Sequence, residues 1–396
     1  MKAYLTGGWG YGNKGDNAIY EAMTRSLKKE FPGITFAVTS FSTDETKKQH
    51  QTSAIPSIHY YLTKKAPLAV PRWAGVFLWF ITGIKSFLSP ALRTHLDLIS
   101  KSDIVIMGGG GYFNDAWIDM LLSRYVEIEM AHQAKTPIVI YGQTVGPFGK
   151  RWMGPAFRYF MQKLSGVAYR DRQSLAAIIK SDYPKDRTRL TADEVNLMPV
   201  LGDSHFVQGD EIAVGVMIQK LRPHLGPDGP SNPGRITNEG QYVSEVAEAL
   251  LKVAKSNKRV VYHFIPSTTW DEATCRAVHE KVANDCASVF YSDPDVDQFM
   301  RLCQSVSIMV STNMHPIILA ATNGKPSVGL SYHYKLDDYM SESSQRCRNL
   351  RIDDFSAKQL AELIIDTIER PTKPETKTLM KMAEGNVEIV KQALKP

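Results

Sequence analysis

Short apolar segments alternate with longer amphipathic segments along most of the 396-residue chain. Each apolar segment has three to seven residues and is rich in β-branched or aromatic side chains, as strands buried in a parallel sheet are. Segments with a helical period lie between many of them. This alternation predicts an α/β protein with open, doubly wound sheets. The predicted strands are Ala3–Thr6, Ile34–Thr39, Ile104–Met107, Pro137–Tyr141, Gly166–Tyr169, Ile212–Ile218, Val260–Phe264, Ser307–Val310 and Val328–Leu330.

A polar segment at 201–211, which contains two glycines, interrupts the alternation. A single soluble domain commonly has about 100–200 residues, so two domains are expected. We predict an N-terminal α/β domain over 1–205 and a C-terminal α/β domain over 206–355. Helices over 356–396 follow, and the sequence leaves open whether they pack back on the first domain. Two doubly wound (Rossmann-like) domains facing a cleft resemble the GT-B class of glycosyltransferases.

The amino-acid composition limits which binding partners and which cellular compartment are expected. The net charge is only +6, and no basic stripe is interleaved with aromatic residues, so a nucleic-acid partner is not indicated. The four cysteines form no C-x-x-C pair, which fits a reducing compartment. The first residues lack the apolar core of a signal peptide, and no apolar run reaches about 18 residues. The expected location is therefore cytoplasmic.

The first predicted strand leads into a glycine-rich loop, in which Gly10, Gly12 and Gly15 match G-x-G-x-x-G. Asp16 is predicted to cap a helix over 17–29. The second strand lacks the acidic residue that a nicotinamide-binding fold places at its end, so nicotinamide binding is not expected. Two interpretations stay open, namely a ligand-binding loop at a helix N-terminus and a tight turn without a ligand.

Two more predicted strands of the first domain end in glycine-rich loops. The run Gly108–Gly111 is better explained by close approach of a ligand or another loop than by a simple turn. The second loop spans 141–147, and Arg170 follows a third strand. Arg170 could clamp a carboxylate or phosphate, or form a salt bridge with Asp171 or another acidic neighbour.

In the second domain, the strand Ser307–Val310 is followed by Ser311-Thr312-Asn313-Met314-His315-Pro316. Proline suits the first turn of a helix, which is predicted over 316–322. His315 is therefore expected at the helix N-terminus, on the edge of the sheet where open α/β folds bind ligands. The alternative is a packed or surface histidine. No histidine spacing typical of a metal site occurs.

In this order, the segments resemble the polysaccharide pyruvyl transferase family over roughly residues 1–340. The matching segments are the G-x-G-N-x-G-D loop at 10–16, the glycines at 108–111, G-Q-x-x-G-P at 142–147, R-D-x-x-S at 170–174, Asp193, and the His315 segment, which continues through Gly324-Lys325-Pro326 to Ser331-Tyr332-His333-Tyr334-Lys335.

The resemblance implies that phosphoenolpyruvate donates a pyruvyl group to two hydroxyls of a sugar or lipid-linked oligosaccharide, for an exopolysaccharide or another cell-envelope glycan, and that a ketal forms. It implies acceptor binding by the first domain and donor binding by the second. It also implies that no cofactor is needed besides phosphoenolpyruvate as co-substrate, and that His315 is the general acid. The implied donor-binding residues are Arg170, Asn313, Met314 and Lys335. The implied acceptor or loop-lining residues are Gly12, Asn13, Asp16, Gly110, Asn114 and Gln143.

One position departs from the family, which usually has an arginine two residues before the histidine. Asn313 stands there, and an amide supplies neither the charge nor the fork of a guanidinium. Either another cation, such as Arg170, Lys220, Arg222 or Lys335, takes over, or the donor has changed. A GT-B-like glycosyltransferase that uses a nucleotide-sugar and a non-catalytic family member therefore remain alternatives. The oligomeric state, including a homo-oligomer, is also open.

The segment 66–88 is apolar and aromatic, with lysines and arginines in and around it. It is too short and interrupted to span a bilayer. It could lie on a membrane surface, which would make the protein peripheral at the inner face of the membrane. The favoured alternative is a helix in the core or in a dimer contact.

Overall fold

The computed structural model describes residues 1–63, 68–146, 148, 153–202, 210–226, 229–230 and 233–395. Contacts divide the chain into two units. The first comprises Met1–Tyr11, Ile19–Leu197 and Met380–Pro396, and the second comprises Gly12–Ala18 and Met198–Leu379. The predicted boundary at 205/206 lies outside the described residues. The predicted C-terminal segment 356–396 is shared between the two units.

The first unit contains a parallel sheet in the order β3-β2-β1-β4-β6-β7-β8, with β5 paired to β6. Its strands are β1 Lys2–Thr6, β2 Thr35–Ser40, β3 Ala54–Pro56, β4 Ile104–Met107, β5 Gly110–Phe113, β6 Ile138–Val145, β7 Gly166–Tyr169 and β8 Thr188–Leu190. The five predicted strands of this domain are present. Strand β6 continues four residues beyond the predicted end, and this extension pairs with β5.

Both faces of this sheet are buried, and neighbouring residues of a strand belong to different cores because successive side chains point to opposite faces. Tyr4 joins a core on one face, whereas Ala3 and Leu5 join a core on the other. The helices of this unit are α1 Lys14–Glu30 (which begins in the second unit), α2 Thr43–His50, α3 Ile58–Leu62, α4 Ala69–Thr82, α5 Pro90–Ser100, α6 Ile118–Ala134, α7 Met153–Met161, α8 Arg172–Lys180, the last residues of α15 Lys377–Ala383, and α16 Gly385–Ala393. Short 3₁₀ turns lie at Lys85–Phe87, Asp115–Trp117, Lys185–Arg187 and Glu194–Leu197.

Helix α1 begins earlier than predicted, so Asp16 lies in its first turn and is not the cap. Asn13 precedes the helix, and its side-chain oxygen accepts a hydrogen bond from Gly15 N at 2.9 Å. The Lys14 amide is also satisfied, because it donates to Ser267 O at 2.8 Å. These two partners allow the helix to start at Lys14.

The second unit contains a parallel sheet in the order β13-β12-β9-β14-β15-β16 and a small antiparallel pair, β10-β11. Its strands are β9 Ile212–Met217, β10 Leu225–Gly226, β11 Gly229–Pro230, β12 Val260–Phe264, β13 Ser288–Phe290, β14 Ile308–Ser311, β15 Ser327–Ser331 and β16 Asn349–Arg351. Its helices are α9 Glu239–Ser256, α10 Glu272–Val282, α11 Val296–Ser305, α12 Met314–Thr322, α13 Tyr334–Glu342 and α14 Ala357–Glu369, with a 3₁₀ turn at Arg346–Arg348. The four predicted strands match within two residues at either end.

The apolar segment forms α4 and the 3₁₀ turn at 85–87, and residues 64–67 lie outside the described part of the chain. Val76 and Trp79 are buried, whereas Phe77 and Ile81 are exposed. The segment therefore is not a core helix throughout. Within the described residues, no helix combines the length and apolarity needed to cross a bilayer.

Candidate functional site

The C-terminal ends of four parallel strands carry the polar residues of the second unit. Lys220 and Arg222 follow β9, Ser267 and Asp271 follow β12, Asn313 follows β14, and Tyr332 follows β15. Strands β12, β9, β14 and β15 are neighbours, so these loops lie at one edge of the sheet. That edge is where open α/β sheets bind ligands.

The first turn of α1 completes this edge. The Asn13 backbone forms a bridge to Thr268, and Lys14 N donates to the adjacent Ser267 O. A side-chain carbon built on Gly12 would lie 3.2 Å from Thr269 Oγ1. The predicted loop residues Gly12, Asn13 and Asp16 therefore belong to the same unit as His315.

Gly15 and His315 are packed against each other. A side-chain carbon built on Gly15 would collide with the imidazole of His315 at Nδ1. Only glycine leaves room for the ring to lie on the first turn of α1. His315 is the second residue of α12 and is half-buried, so its ring is held between the N-terminal turns of two helices. This contact joins the glycine-rich loop and the His315 segment, which are 300 residues apart in the chain.

Lys14, which is not among the residues predicted from the sequence, lies in the same turn. Its side chain is buried and its ammonium contacts the Asp293 carboxylate at 2.8 Å. Its position inside the glycine-rich loop is the sequence feature from which Lys14 could have been predicted as a site residue. Burial of a lysine is uncommon without a paired acid, which Asp293 supplies.

Asn313 precedes α12 and its side chain points to the β12 loop. Asn313 Nδ2 donates to Ser267 Oγ at 2.6 Å, and Ser311 Oγ donates to the Asn313 carbonyl at 2.8 Å. The Asn313 amide in turn donates to Ser311 Oγ at 3.0 Å. Asn313, where the sequence departs from the family, is thus held by hydrogen bonds to Ser311 at the end of β14 and to Ser267 in the loop after β12.

Asp271 is a fully buried carboxyl group beside Asn313 and is not among the residues predicted from the sequence. Burial raises its pKa, and a hydrogen bond from Thr268, the Arg222 guanidinium and the Asn313 side chain oppose that shift. Asp271 could have been predicted as a site residue because it belongs to the polar loop that follows the predicted strand Val260–Phe264. A buried carboxyl group with a raised pKa is typical of functional sites as well as of structural networks.

Two exposed cations, Lys220 and Arg222, lie at the same edge. The Arg222 guanidinium carbon is 6.0 Å from the centre of the Tyr332 ring. Burial raises the pKa of the Tyr332 hydroxyl, the Arg222 charge opposes it, and the charges of Asp271 and Asp16 add to it. Arg222 therefore acts electrostatically on both Tyr332 and Asp271.

Lys335 and Met314 occupy the first turns of two helices of this unit. Lys335 is in α13, where its backbone amide donates to His333 Nδ1 at 3.3 Å, and its side chain is half-buried. Met314 is the first residue of α12, so its amide is one of those that a helix leaves without an intrahelical partner. Both predicted donor-binding positions lie in the unit that holds His315. Among the described residues, no group of three His, Cys, Asp or Glu side chains could hold a metal ion.

The predicted loop residues Gly110, Asn114 and Gln143 belong to the first unit. Gln143 Nε2 donates to the carbonyls of Met107 and Gly108, at 2.9 and 2.7 Å, and so braces the glycine run. Asn114 caps the following 3₁₀ turn through Ala116 N. Gly110 has a φ of +122°, which suits glycine, and a side-chain carbon on it would collide with the ring of Tyr112.

Glycines of the first unit permit close packing of the protein on itself. A side-chain carbon on Gly108 would come within 2.9 Å of Trp9 and closer to Met23, and one on Gly109 would come within 2.9 Å of Ile19. Of the two explanations for the glycine run, the structure supports close approach of neighbouring segments.

Arg170, the predicted anion clamp, is paired within the first unit. Its guanidinium contacts the Asp193 carboxylate, and both side chains are almost fully buried. Arg170 Nε also donates to Thr144 Oγ1 at 3.3 Å. The salt-bridge alternative is therefore the arrangement present, with Asp193 and not Asp171 as the partner. Asp171 instead caps α8 through Ser174 N. A guanidinium neutralised in this way is a poor replacement for the arginine missing at 313.

Known structures share this fold at low sequence identity. UDP-GlcNAc 2-epimerase from Neisseria meningitidis aligns with a TM-score of 0.58 at 12% identity, over 99% of this chain and 100% of the other. HepE of Anabaena, solved with UDP-glucose, aligns with a TM-score of 0.55 at 14% identity, over 99% and 98%. These similarities confirm a fold of two parallel-sheet α/β domains of the GT-B type.

Sequence comparison identifies relatives more specifically. The amylovoran biosynthesis protein AmsJ of Erwinia amylovora is 21% identical over 360 residues, which are 85% of this chain and 84% of AmsJ. The sequence pattern of the family described as polysaccharide pyruvyl transferase matches residues 13–334. The match begins at the turn that carries Gly15 and extends past His315, the two residues that pack together. The chain therefore belongs to the polysaccharide pyruvyl transferase family.

Proposed function

We propose that this protein transfers a pyruvyl group from phosphoenolpyruvate to two hydroxyls of a sugar during polysaccharide synthesis, with His315 as the general acid. The main support is the packing of His315 on Gly15, at the sheet edge that also carries Arg222 and Asp271. Family membership and the similarity to an amylovoran biosynthesis protein support the reaction class.

The reaction requires a proton donor and anion-binding groups. A proton added to the terminal carbon of phosphoenolpyruvate makes a methyl group and leaves the adjacent carbon electrophilic. The first sugar hydroxyl adds there, phosphate leaves, and the second hydroxyl closes the ketal ring. One hydroxyl proton replaces the proton that the acid gave up, and the other leaves with phosphate. General acid catalysis of this kind contributes about 10²–10⁴ in rate.

The second unit offers a candidate for each requirement. The imidazole of His315 can carry the proton, and the backbone amides at the start of α12 can bind an anion. Arg222 is our first choice for the cation that replaces the arginine missing at 313, because it is exposed at the same edge and acts on Asp271. Lys220 and Lys335 are further candidates for the phosphate or the acceptor.

A donor panel tests the reaction class. Phosphoenolpyruvate and UDP are each added to the protein in a thermal unfolding assay. A ligand at 100 times its Kd stabilises the folded state by about 2.7 kcal/mol. We expect stabilisation by phosphoenolpyruvate. Stabilisation by UDP alone would favour the nucleotide-sugar alternative, and stabilisation by neither would favour a non-catalytic protein.

His315→Ala tests the general acid. We expect turnover to fall by about 10²–10⁴, measured as phosphate released from phosphoenolpyruvate with sugars whose two hydroxyls can close a ketal ring. Binding of phosphoenolpyruvate should change little, because the variant removes a proton donor and not an anion contact. His132→Ala is the matched control, since His132 is exposed on α6. Near-normal turnover in His315→Ala would remove this residue from the mechanism.

A further inference from the structure

Helix α4 is apolar on its exposed side as well as on its buried side. Its buried stripe contains Val76 and Trp79, as expected of a surface helix. The opposite side carries no compensating polar face. The α4 patch, defined as the large exposed apolar side chains between residues 77 and 87, consists of Phe77, Leu78, Phe80, Ile81, Ile84 and Phe87. Contiguous exposed apolar side chains of this kind mark an interaction surface.

The chain around the α4 patch is strongly cationic. The segment from Thr46 to Leu96 contains seven lysines or arginines and neither aspartate nor glutamate, whereas the whole chain has a net charge of only +6. The rest of the chain is therefore close to neutral. Lys85 lies within the stretch that carries the patch, Arg93 follows Phe87 by six residues, and both are exposed. Apolar side chains bordered by cations match a surface that is apolar inside and anionic outside.

A cavity of about 160 Å³ lies beneath the α4 patch, between α4, α6 and α7. Trp73, Phe77 and Phe80 line it from α4, and Val126 and Phe160 line it from α6 and α7. The carboxylate of Glu129, which also lines it, is paired with Lys163. The lining is thus apolar, and two of its residues also belong to the exposed patch.

Two buried polar atoms in this lining are unpartnered within the described part of the chain. They are Nε1 of Trp79 and the hydroxyl of Tyr125. Trp79 is fully buried and Tyr125 nearly so. A buried donor without an acceptor costs about 1–3 kcal/mol. A mainly apolar ligand that carries an oxygen, as a lipid acyl ester does, would satisfy such donors.

We propose that the α4 patch binds an anionic phospholipid bilayer and that the cavity beneath it receives an acyl chain from that bilayer. The apolar side chains enter the interface, and Lys85 and Arg93 contact anionic headgroups. Tryptophan and tyrosine, each with an apolar body and a polar tip, suit the depth at which ester groups lie. The proposal does not depend on the pyruvyl transfer reaction.

Vesicle flotation tests the surface. The full chain is mixed with vesicles of phosphatidylcholine alone or with about one third phosphatidylglycerol. We expect binding to the anionic vesicles and its loss when NaCl rises from about 0.1 M to about 1 M, because the screening length falls from about 10 Å to about 3 Å. Failure of the wild type to float with anionic vesicles would overturn the proposal.

Matched variants assign the binding to the α4 patch. Phe77 and Ile81 are 63% and 64% exposed and lie four residues apart on α4. Phe77→Ser with Ile81→Ser should weaken vesicle binding by about tenfold or more. Leu175→Ser with Ile179→Ser is the control, because these exposed residues have the same spacing on α8. Equal effects of the two pairs would contradict the assignment.

Charge variants follow the same design. Lys85→Glu with Arg93→Glu should abolish the preference for anionic vesicles, whereas Lys28→Glu with Lys29→Glu on the exposed end of α1 should not.

A second copy of this chain is the competing occupant of the patch. A wild type that elutes as a dimer and becomes monomeric in the Phe77 and Ile81 double variant would overturn the membrane proposal.

Brominated lipids test the cavity. Vesicles whose acyl chains carry bromine should quench the tryptophan fluorescence of the wild type, and Trp79→Phe should remove part of that quenching. Val126→Phe adds a ring to the cavity and should abolish the Trp79 contribution while flotation persists. Quenching that Val126→Phe leaves unchanged would show that no acyl chain enters the cavity.

Discussion

Residue 313 is the position at which this chain departs from its family, and the departure removes a positive charge from the surroundings of the Asp271 carboxyl group. Asn313 donates to Ser267 and acts on the buried Asp271 carboxyl. An amide leaves that carboxyl without the full charge that a guanidinium would supply. Arg222 is the exposed cation that acts on the same carboxyl. We therefore propose that Arg222, which follows a different strand, supplies the charge that an arginine at 313 would supply.

Asn313→Arg should tighten phosphoenolpyruvate binding by about tenfold, because a guanidinium can form charge-assisted, bidentate hydrogen bonds with a carboxylate or phosphate. Asn313→Lys should help less, since an ammonium lacks the fork. Calorimetric titration measures the Kd. Arg222→Ala should weaken binding by about tenfold or more, and by less when it is combined with Asn313→Arg in a double variant. Unchanged binding in Arg222→Ala would remove Arg222 from the donor site.

Glu194 is a second residue whose surroundings control its ionisation. It is buried in the first unit, where it accepts hydrogen bonds from Tyr141 at 2.9 Å and Asn386 at 2.7 Å. Burial raises its pKa from 4.5 to about 7, although these hydrogen bonds and one from Ser26 oppose the shift. A raised carboxyl pKa means that the folded state holds its proton more tightly than the unfolded chain.

The free energy of unfolding should therefore fall by about 3 kcal/mol through Glu194 as pH rises from about 4.5 to about 7. Below that window the group is protonated in both states, and above it the group is ionised in both. Glu194→Gln removes the titration, so its unfolding free energy should depend less on pH across the window. Denaturant unfolding at several pH values measures this. Glu362→Gln, on the exposed face of α14, should keep the wild-type dependence.

Helix α16 shows how an element far along the chain completes the first unit. Val387, Ile389 and Val390 pack into the core on the α1 face of the sheet. A side-chain carbon on Gly166, at the start of β7, would lie 2.7 Å from Ile389 Cγ2. The glycine in the strand therefore allows the helix to approach closely, and α16 is part of the fold of this unit.

Ile389→Ala should lower the free energy of unfolding by about 2–5 kcal/mol, as truncation of a buried isoleucine does. Gln392→Ala, on the exposed side of the same helix, should change it by no more than about 0.5 kcal/mol. Denaturant titration of the purified variants measures both. Equal, small effects would mean that α16 contributes little to the core.

At the scale of the whole molecule, the two units have separate sheets and separate cores, and the candidate residues are divided between them. Asn313, Met314, His315 and Lys335 belong to the second unit, and so does the turn at 12–18. Arg170 belongs to the first and is occupied by Asp193. The proposed donor site is therefore built from the second unit.

Hydrogen exchange should report this division. Phosphoenolpyruvate is expected to slow amide exchange in the second unit, at 12–18 and in the loops after β9, β12 and β14, because ligand binding suppresses local opening. UDP serves as the comparison ligand. Protection centred instead on β7 and Asp193 would return Arg170 to the donor site.

The sequence alone determined nine of the fourteen strands that the described residues form in the two parallel sheets, because buried parallel strands must be short, apolar and rich in branched side chains. It also determined that His315 follows β14 at a helix N-terminus, since Pro316 suits only the first turn. These are local properties, and the nine predicted strands and the position of His315 required no knowledge of distant contacts.

Tertiary structure decided what depends on residues far apart in the chain. Helix α1 starts at Lys14 because Ser267 satisfies its first amide, and Gly15 is needed because His315 lies against it. Asp193 neutralises the charge of Arg170. Gly166 is needed because Ile389 packs against it. The neighbours of α4 determine which of its apolar side chains remain exposed. Local patterning specifies which side chains need burial or a partner, but only packing determines which partner each one receives.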